Sequence, residues 1–232
     1  MVGTLFNTVA VAVGASTGLL IGARWSGELR DKMFLILGLF TLAIGIPMLF
    51  MTHEPIDLFL ALLLGTLVGH FIGIQTWLDK RFQKNIGDPN AASSSGGFVE
   101  ALMLFCVGSM TLIGCMQDGL ENKPDTLFIK GTMDFISSAF LAATLGRGVL
   151  FSALGVLGIQ GALTVAFMLL GREMDLLLID ELTALGGVLM LGIGLQLIGI
   201  KPKGLVQWPL VDALPAFAIL PLVRLGHEWL AC

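Results

Sequence analysis

The chain has 232 residues, of which 56% are hydrophobic and 13% are charged, and its mean hydropathy is +0.90. A soluble domain usually carries about 25% charged residues, so this composition excludes a water-soluble globular protein. The net charge of -4 is spread over short connecting segments without a basic patch, which excludes a nucleic-acid-binding protein. The composition therefore predicts an all-α fold, a polytopic bundle of transmembrane helices. Residues 1–232 would form one integral membrane domain in a lipid bilayer.

Apolar runs of about 20 residues, the length that a helix needs to cross the hydrocarbon, recur along the chain. They predict eight spans, or seven if the last is incomplete: residues 2–22, 33–51, 57–74, 98–116, 126–146, 149–171, 180–200 and 207–224. Pro209, Pro215 and Pro221 interrupt the eighth run, so a bent or partial span is expected there. No basic residue precedes the first run and further spans follow it, unlike a cleaved signal peptide.

The long connection between the third and fourth predicted spans covers residues 75–97. Its first part, Gln75–Ile86, alternates apolar and charged residues at helical spacing and predicts a short helix on the cytoplasmic leaflet. Its second part, Gly87–Gly97, is rich in glycine and serine and predicts a flexible linker. Most lysines and arginines fall on the side of the membrane that holds this connection. The positive-inside rule then predicts that both termini lie outside the cytoplasm.

The two ends of the chain share a sequence pattern that suggests an internal repeat. The matches are Gly38 with Gly187, Gly45 with Gly194, and the segment Thr4–Asn7 with Val149–Ser152. Spans one to three would then correspond to spans six to eight. Because the shift is an odd number of spans, the second copy would be inverted, as in many transporters that bind solute at the repeat interface. Gly, Leu and Ile are so common here that chance gives similar matches, and both interpretations stay open.

Glycines recur at every fourth position in the first and third predicted spans. They are Gly14, Gly18 and Gly22, and Gly65, Gly69 and Gly73. Small residues at this spacing let helix backbones approach closely in lipid, where no hydrophobic force draws helices together. The pattern predicts close helix pairs, either inside one chain or in a homo-oligomer, and does not distinguish between them.

The fifth predicted span carries a polar face inside an apolar segment. This face consists of Lys130, Asp134, Ser137 and Ser138. Charges within a bilayer are costly and usually face protein or water. Gln117 and Asp118 end the fourth span on the same side and are expected within reach of Lys130. Two interpretations stand side by side: an ion pair of adjacent turns that neutralises itself, or a binding site for an ion or polar solute.

Four further polar residues lie within predicted spans. Glu100, near the start of the fourth span, favours a role in stabilising a helix N-terminus, with ion binding as the alternative. His70 follows Gly69 and is interpreted as a buried structural histidine. Asn7 and Gln160 are uncharged and would either line a path or bond helix to helix.

Two long stretches, Phe98–Leu120 and Lys130–Gly161, resemble the YqgA-like family of bacterial inner-membrane proteins (domain of unknown function 554). The resemblance extends over nearly the whole chain. At His70 the family more often has an acidic residue. The resemblance implies a protein of the bacterial cytoplasmic membrane that is often assumed to be a transporter, without a settled substrate.

The sequence contains no His, Cys and Glu set with metal-ligand spacing, no phosphate-binding loop and no serine nucleophile elbow. We therefore expect no enzyme, no metal site and no cofactor. The first hypothesis is a secondary transporter or channel for an ion or small polar solute. The alternative is a non-transporting membrane scaffold or signalling partner assembled through the glycines described above.

Overall fold

The computed structural model describes residues 1–23, 26–74, 76–77, 80, 91–170, 175–200 and 210–230, and within these ranges its regular structure is entirely helical. The α-helices are α1 (Val2–Gly22), α2 (Gly27–Leu49), α3 (Pro55–Ile72), α4 (Ala91–Cys106), α5 (Ser109–Met116), α6 (Asp125–Leu145), α7 (Gly148–Leu170), α8 (Leu176–Leu197) and α9 (Ala216–Leu230). A π-helical turn, Gln117–Glu121, extends α5. The predicted all-α fold is confirmed.

Within the described ranges, five helices are long and apolar enough to cross a membrane: α1, α2, α3, α7 and α8. The bent pair of α4 and α5 adds a sixth if the two are counted as one span. The predicted number of eight spans is not recovered by this criterion. Two predicted spans do not meet the criterion: that of α6, which carries Lys130 and Asp134, and that of α9, which has 15 residues.

The helix ends gather at two ends of the bundle. The end that we call the Met1 end holds Met1, the connection between α2 and α3, and the starts of α6 and α8. Gly3 of α1 lies beside Leu127 of α6, and Glu181 of α8 binds the connection between α2 and α3. The end that we call the Arg147 end holds the turn after α1 and the tight turn between α6 and α7, where Gly22 lies against Ala143. Each half of the bundle takes the name of its end.

Helices α1 and α6 run parallel and in close contact along their length. Gly3 lies beside Leu127 at the Met1 end, and further along α1 the glycines face the backbone of α6. A Cβ added at Gly18 would overlap the carbonyl oxygen of Ala139. Glycine is therefore required for these two backbones to approach each other.

Helices α2 and α8 form an antiparallel pair. A Cβ at Gly38 would lie 3.0 Å from the carbonyl oxygen of Gly194, and the same distance holds in the opposite direction. Gly45 and Gly187 make the equivalent contact closer to the Met1 end, at 3.1 Å and 2.9 Å. At two points of the crossing, therefore, a glycine of α2 faces a glycine of α8.

Helix α9 packs antiparallel on α3 through Gly65 and Gly69, which face Ala216 and Asp212. Residues 210–215 form turns, and the helix starts directly after Pro215, which cannot donate a backbone hydrogen bond. The last helical segment therefore starts later than the predicted span 207–224, at residue 216.

A break between α4 and α5 divides the fourth predicted span. The two helix axes differ by 59°, and Gly108 at the break has a φ of 136°, a conformation that residues with a Cβ rarely adopt. Thr111 Oγ1 donates a hydrogen bond of 3.1 Å to the carbonyl of Phe105 and so satisfies one acceptor near the break. Helix α4 starts at Ala91, inside the predicted linker, whereas most of the predicted interfacial helix Gln75–Ile86 lies outside the described residues.

Candidate functional site

Lys130 and Asp134 form a buried ion pair on α6. Lys130 Nζ lies 2.9 Å from Asp134 Oδ1 and 2.7 Å from Oδ2, so both carboxylate oxygens accept from one ammonium group. Both side chains are more than nine-tenths buried. The spacing of one helical turn brings the two groups together without help from another helix. The pair therefore carries no net charge into the bundle.

A pair of buried amides from two other helices lies next to the ion pair. Asn7 Nδ2, on α1, donates a hydrogen bond of 3.1 Å to Gln160 Oε1, on α7. The Asn7 side chain also contacts Asp134. Among the described residues, Asn7 Oδ1 and Gln160 Nε2 have no hydrogen-bond partner. One buried acceptor and one buried donor are thus left without the bonds that buried polar atoms normally make.

Asp118 and Gln117 lie closer to the Met1 end than the ion pair. Asp118 Oδ1 lies 2.9 Å from the amino group of Met1, and Oδ2 accepts a bond of 3.4 Å from the Thr4 amide. Gln117 Oε1 accepts a bond of 2.6 Å from the Thr126 hydroxyl. The expectation that both residues lie within reach of Lys130 stays a prediction, and their bonds among the described residues go to Met1, Thr4 and Thr126.

The buried polar side chains form a continuous series, which we call the polar column. From the Met1 end inward it consists of Asp118, Thr4, Thr164, Gln160, Asn7, Lys130 and Asp134. Thr4 Oγ1 and Thr164 Oγ1 are 3.0 Å apart and join α1 to α7 one turn from the amide pair. Of the two serines predicted on this face, Ser138 is buried and donates to the carbonyl of Phe135, and Ser137 is half-buried.

A cluster of apolar side chains continues the same space toward the Arg147 end. Its buried members include Val11, Ala15, Phe105, Leu141 and Val149, from α1, α4, α6 and α7. Polar groups that bond helix to helix thus occupy the Met1 half of this part of the bundle, and the Arg147 half is mainly apolar, with the buried hydroxyls of Thr144 and Ser152 bonded to carbonyls of their own helices. We call the cluster of apolar side chains around Val11, Phe105 and Leu141 the apolar closure.

The break between α4 and α5 opens onto an apolar cavity of about 400 Å³. Cys106 and Gly108 at the break line this cavity, together with Leu163 of α7 and Phe217 of α9. Cys106 also lies within electrostatic reach of Lys130 and Asp134. The broken helix therefore forms part of the cavity wall.

Glu100 lies in the Arg147 half. Its side chain is buried, and Oε1 accepts a hydrogen bond of 3.1 Å from Gln196 Nε2 on α8. Because α4 starts at Ala91, Glu100 is not in the first turn, and the interpretation that it stabilises a helix N-terminus is wrong.

His70 is not the buried residue that the sequence suggested. Its side chain is 78% exposed, and Nδ1 lies 4.0 Å from Asp212 Oδ2. His70 sits at the end of α3 rather than in the polar column. The structure therefore does not bring His70 together with the other candidate residues.

A second polar region, at the Met1 end, was missed from the sequence. A pocket of about 300 Å³ lies among α3, α8 and α9 and is lined by His53, Glu54, Asp57, Leu177, Glu181, Arg224 and His227. Glu181 accepts from the backbone amides of His53 and Glu54 at 2.6 Å and 2.8 Å, and so binds the start of α3. Asp57 lies 3.2 Å from His227. Acidic residues near the predicted starts of spans three and seven were the available signal.

Within the part of the chain that the structure describes, no three His, Cys, Asp or Glu side chains are grouped as metal ligands. The two described cysteines, Cys106 and Cys115, are free and buried. The polar groups of the column are two amides, two hydroxyls, the carboxylate of Asp118 and the ion pair of Lys130 and Asp134. This set can hold water, a proton or a small polar solute.

Comparison with known proteins identifies the family. The family described as "Protein of unknown function (DUF554)" matches residues 2–225. The chain belongs to this family. It is 30% identical over 227 residues to the "Uncharacterized membrane protein YdfK" of Bacillus subtilis (strain 168), covering 96% of this chain and 95% of that protein. It is also 30% identical over 239 residues to the "Uncharacterized protein YqgA" of Escherichia coli (strain K12), covering the full length of both.

The DUF554 family assignment confirms the resemblance to YqgA-like proteins that the sequence showed. The description of YdfK, together with the apolar helices, supports a multi-pass membrane protein. No solved structure matches the chain. The family description specifies no substrate, so the function has to be argued from the site.

Proposed function

We propose that this protein is a secondary transporter that moves an ion or a small polar solute through the polar column. The observation that carries the proposal is the pair of unpartnered amide atoms, Asn7 Oδ1 and Gln160 Nε2, beside the buried ion pair Lys130–Asp134. A water molecule or a polar solute supplies both a donor and an acceptor to such atoms. Charged side chains inside a membrane commonly mark the route of an ion or solute.

The apolar closure supports a transporter rather than an open channel. Between the ion pair and the Arg147 end, Val11, Phe105 and Leu141 fill the space with apolar groups. A solute in the polar column therefore has no polar continuation until helices move. The break at Gly108 provides a natural point for such a movement, since discontinuous helices line the binding sites of many transporters.

The crossing of α2 and α8 supports the inverted repeat. The alignment pairs Gly38 with Gly187 and Gly45 with Gly194. When each residue is replaced by its aligned partner, the contact of Gly38 with Gly194 becomes the contact of Gly187 with Gly45. Both contacts exist. A crossing that maps onto itself in this way is what a two-fold axis produces.

The packing of α6 on α1 bears on the number of spans. Helix α6 follows α1 in parallel from Leu127 to Ala143, so a membrane crossed by α1 is also crossed by α6. We count α6 and α9 as spans, which makes eight with the α4–α5 pair. The bacterial cytoplasmic membrane and the external position of both termini remain predictions, and reporter fusions at each terminus test them.

Reconstitution in liposomes tests the transport proposal. Purified protein is incorporated, and uptake of labelled amino acids, sugars, organic acids and monovalent cations is measured under imposed proton and sodium gradients. We expect uptake of one class above the level of empty liposomes, and Asp134→Asn should reduce it to that level. Glu28→Gln serves as the control, because Glu28 pairs with Lys32 on an exposed surface.

Two results would contradict the proposal. One is the absence of uptake for every class under every gradient. The other is uptake by Asp134→Asn at the rate of the unsubstituted protein. The first result would favour the second candidate function, and the second would remove Asp134 from the solute route.

The second candidate is a membrane scaffold or signalling partner. It is favoured by the bidentate geometry of Lys130 and Asp134, in which each group already satisfies the other. A purely structural ion pair can often be replaced by apolar residues of similar volume without loss of stability. The double variant Lys130→Met/Asp134→Leu should then keep every property of the protein, whereas the transporter loses uptake.

The predicted homo-oligomer stays a prediction. Gly14, Gly18 and Gly22 contact α6 of the same chain, and Gly65 and Gly69 contact the segment that leads into α9. An oligomer would therefore use another surface than these glycines. Native mass spectrometry of the purified protein measures its state directly.

A further inference from the structure

Glu100 differs from the other buried carboxylates in its hydrogen bonds. Its residue surface is 7% exposed, and Oε1 accepts one bond from the neutral amide of Gln196. Oε2 is buried and has no hydrogen-bond partner among the described residues. An acidic group in this setting has one neutral donor for two oxygens.

The comparison with three other acidic groups shows what Glu100 lacks. Both oxygens of Asp134 accept from the Lys130 ammonium group. Asp118 has the amino terminus on one oxygen and a backbone amide on the other. Glu181 has two backbone amides on one oxygen and a hydroxyl on the other. Each of these three carboxylates therefore has donors on both oxygens, and Glu100 has no equivalent set of donors.

The elements that pack on α4 bring little compensating charge to Glu100. Helix α7 contains no charged residue, and Gly97 of α4 lies against Leu145 of α6. Along α6, the ion pair of Lys130 and Asp134 lies at least two helical turns from Leu145. Segment 210–213 packs against Val99 and Met103 of α4. The titratable and charged groups on these elements and on the turn after α6 are Lys130, Asp134, Asp125, Arg147, Asp180, Glu181 and Asp212, with His70 beside Asp212.

Within this set, Asp212 is the group most similar to Glu100. Asp212 Oδ1 is also buried without a partner, and its other oxygen lies 4.0 Å from His70. Arg147 is exposed at the turn. Asp180 and Glu181 lie at the opposite end of α8 from Gln196. An experiment on Glu100 must therefore separate its proton from that of Asp212.

We infer that Glu100 is a proton-binding site whose loss and gain of a proton couple a proton gradient to solute movement. The inference rests on the transport function proposed above and names its coupling ion. The protonated carboxyl fits the apolar setting with Gln196 donating to its carbonyl oxygen. Release of the proton leaves a charge without sufficient donors, so the ionised group requires water from the Arg147 end.

The position of Glu100 links this proton to the route of the solute. It lies on α4, between the Arg147 end and the break at Gly108, and one turn before Met103, which lines the apolar cavity. Its helix neighbours Leu102 and Phe105 belong to the apolar closure. Hydration of an ionised Glu100 therefore opens the same half of the bundle that blocks the polar column.

Infrared spectroscopy tests the proton site without any transport measurement. The purified protein in lipid bilayers is titrated with acid and base while the carbonyl band of protonated carboxylic acids is recorded. We expect a band that persists at neutral pH and disappears at alkaline pH. It should shift when the protein carries carbon-13 carboxyl-labelled glutamate, and should not shift with labelled aspartate.

Variants then assign the band and test the coupling. Glu100→Gln should abolish the band, and Asp212→Asn and the exposed-surface control Glu28→Gln should keep it. In liposomes that contain a pH-sensitive dye, the pools of amino acids, sugars, organic acids and monovalent cations should drive proton movement with unsubstituted protein. With Glu100→Gln, solute exchange should continue without proton movement.

The outcomes separate the two proposals. A band without any solute uptake keeps the proton site and overturns the transport function. Uptake that ignores the pH gradient, without a glutamate band, overturns the proton site and keeps transport. A band that shifts with labelled aspartate or survives in Glu100→Gln also overturns the inference. The labelled unsubstituted protein gives this answer even if Glu100→Gln does not fold.

Discussion

The two halves of the bundle hold buried acidic groups in different ways. In the Met1 half, Asp118 and Asp134 each have donors on both oxygens, and each has a positively charged partner. In the Arg147 half, Glu100 has one neutral amide donor. A buried ion is stable only where its partners replace the water that it has lost. The Met1 half is therefore suited to a permanent charge, and the Arg147 half to a charge that comes and goes.

The surroundings of these groups differ in the same direction. The acidic groups of the Met1 half belong to the polar column, whereas Glu100 lies between apolar residues such as Val99 and Ala101. Ion pairs and an amide pair join the groups of the polar column, whereas the residues that surround Glu100 are mainly apolar. Under the proposed function, a solute would thus meet polar side chains from one side and, from the other, a closure that depends on the protonation of Glu100.

The largest expected effect comes from breaking the ion pair of the Met1 half. Lys130→Met leaves Asp134 as an uncompensated buried charge, and we expect a loss of about 3–5 kcal/mol in the free energy of unfolding. The double variant Lys130→Met/Asp134→Leu removes both charges and should recover most of that loss. Reversible unfolding in mixed micelles measures all three proteins.

The chain offers a matched control for this prediction. Lys32 and Glu28 form an ion pair at the same spacing on α2, 2.7 Å apart, but with side chains that are 67% and 80% exposed. Lys32→Met should change stability little, because exposed pairs contribute little. If Lys130→Met is no more harmful than Lys32→Met, the ion pair is not buried as described, and the contrast between the halves disappears.

The amide pair of the Met1 half separates stability from transport. Asn7→Ala leaves Gln160 Oε1 without its donor, and we expect a loss of about 1–3 kcal/mol in the free energy of unfolding. Replacing both amides with leucine leaves no orphaned group and should be close to neutral for stability. Both proteins should lose uptake in liposomes. Uptake by a stable Asn7→Leu/Gln160→Leu variant would remove the amides from the solute route.

Features that depend on one helix were predictable from the sequence. The apolar run 2–22 has the same bounds as α1, and the spacing of Lys130 and Asp134 places them on adjacent turns wherever α6 lies. Apolarity and helical periodicity act locally, so they can be read without knowledge of the neighbours. The charged residues of α6 lower its mean hydropathy, so a criterion based on hydropathy alone misses this helix, although it is buried against α1.

Features that depend on two helices were not predictable. Asn7 and Gln160 are far apart in the chain, and only the packing of α1 on α7 brings them together. Glu181 lies in the second turn of α8, yet its side chain binds the start of α3. The break at Gly108 has no proline to mark it, and glycine is too common here to be a signal. Each of these depends on how helices pack, which periodicity does not encode.

The smallest expected effect comes from the Arg147 half and tests the contrast from the other side. Gln196→Met removes the described donor to Glu100. If Glu100 holds a proton, a bond between two neutral groups is lost, and the free energy of unfolding should fall by about 0.5–1.5 kcal/mol. A bond to an ionised carboxylate would be worth about 1.5–3 kcal/mol. Leu195→Met, on the same turn of α8, controls for the change in packing. A loss of about 1.5–3 kcal/mol at neutral pH would mean that Glu100 is charged, and that both halves hold permanent charges.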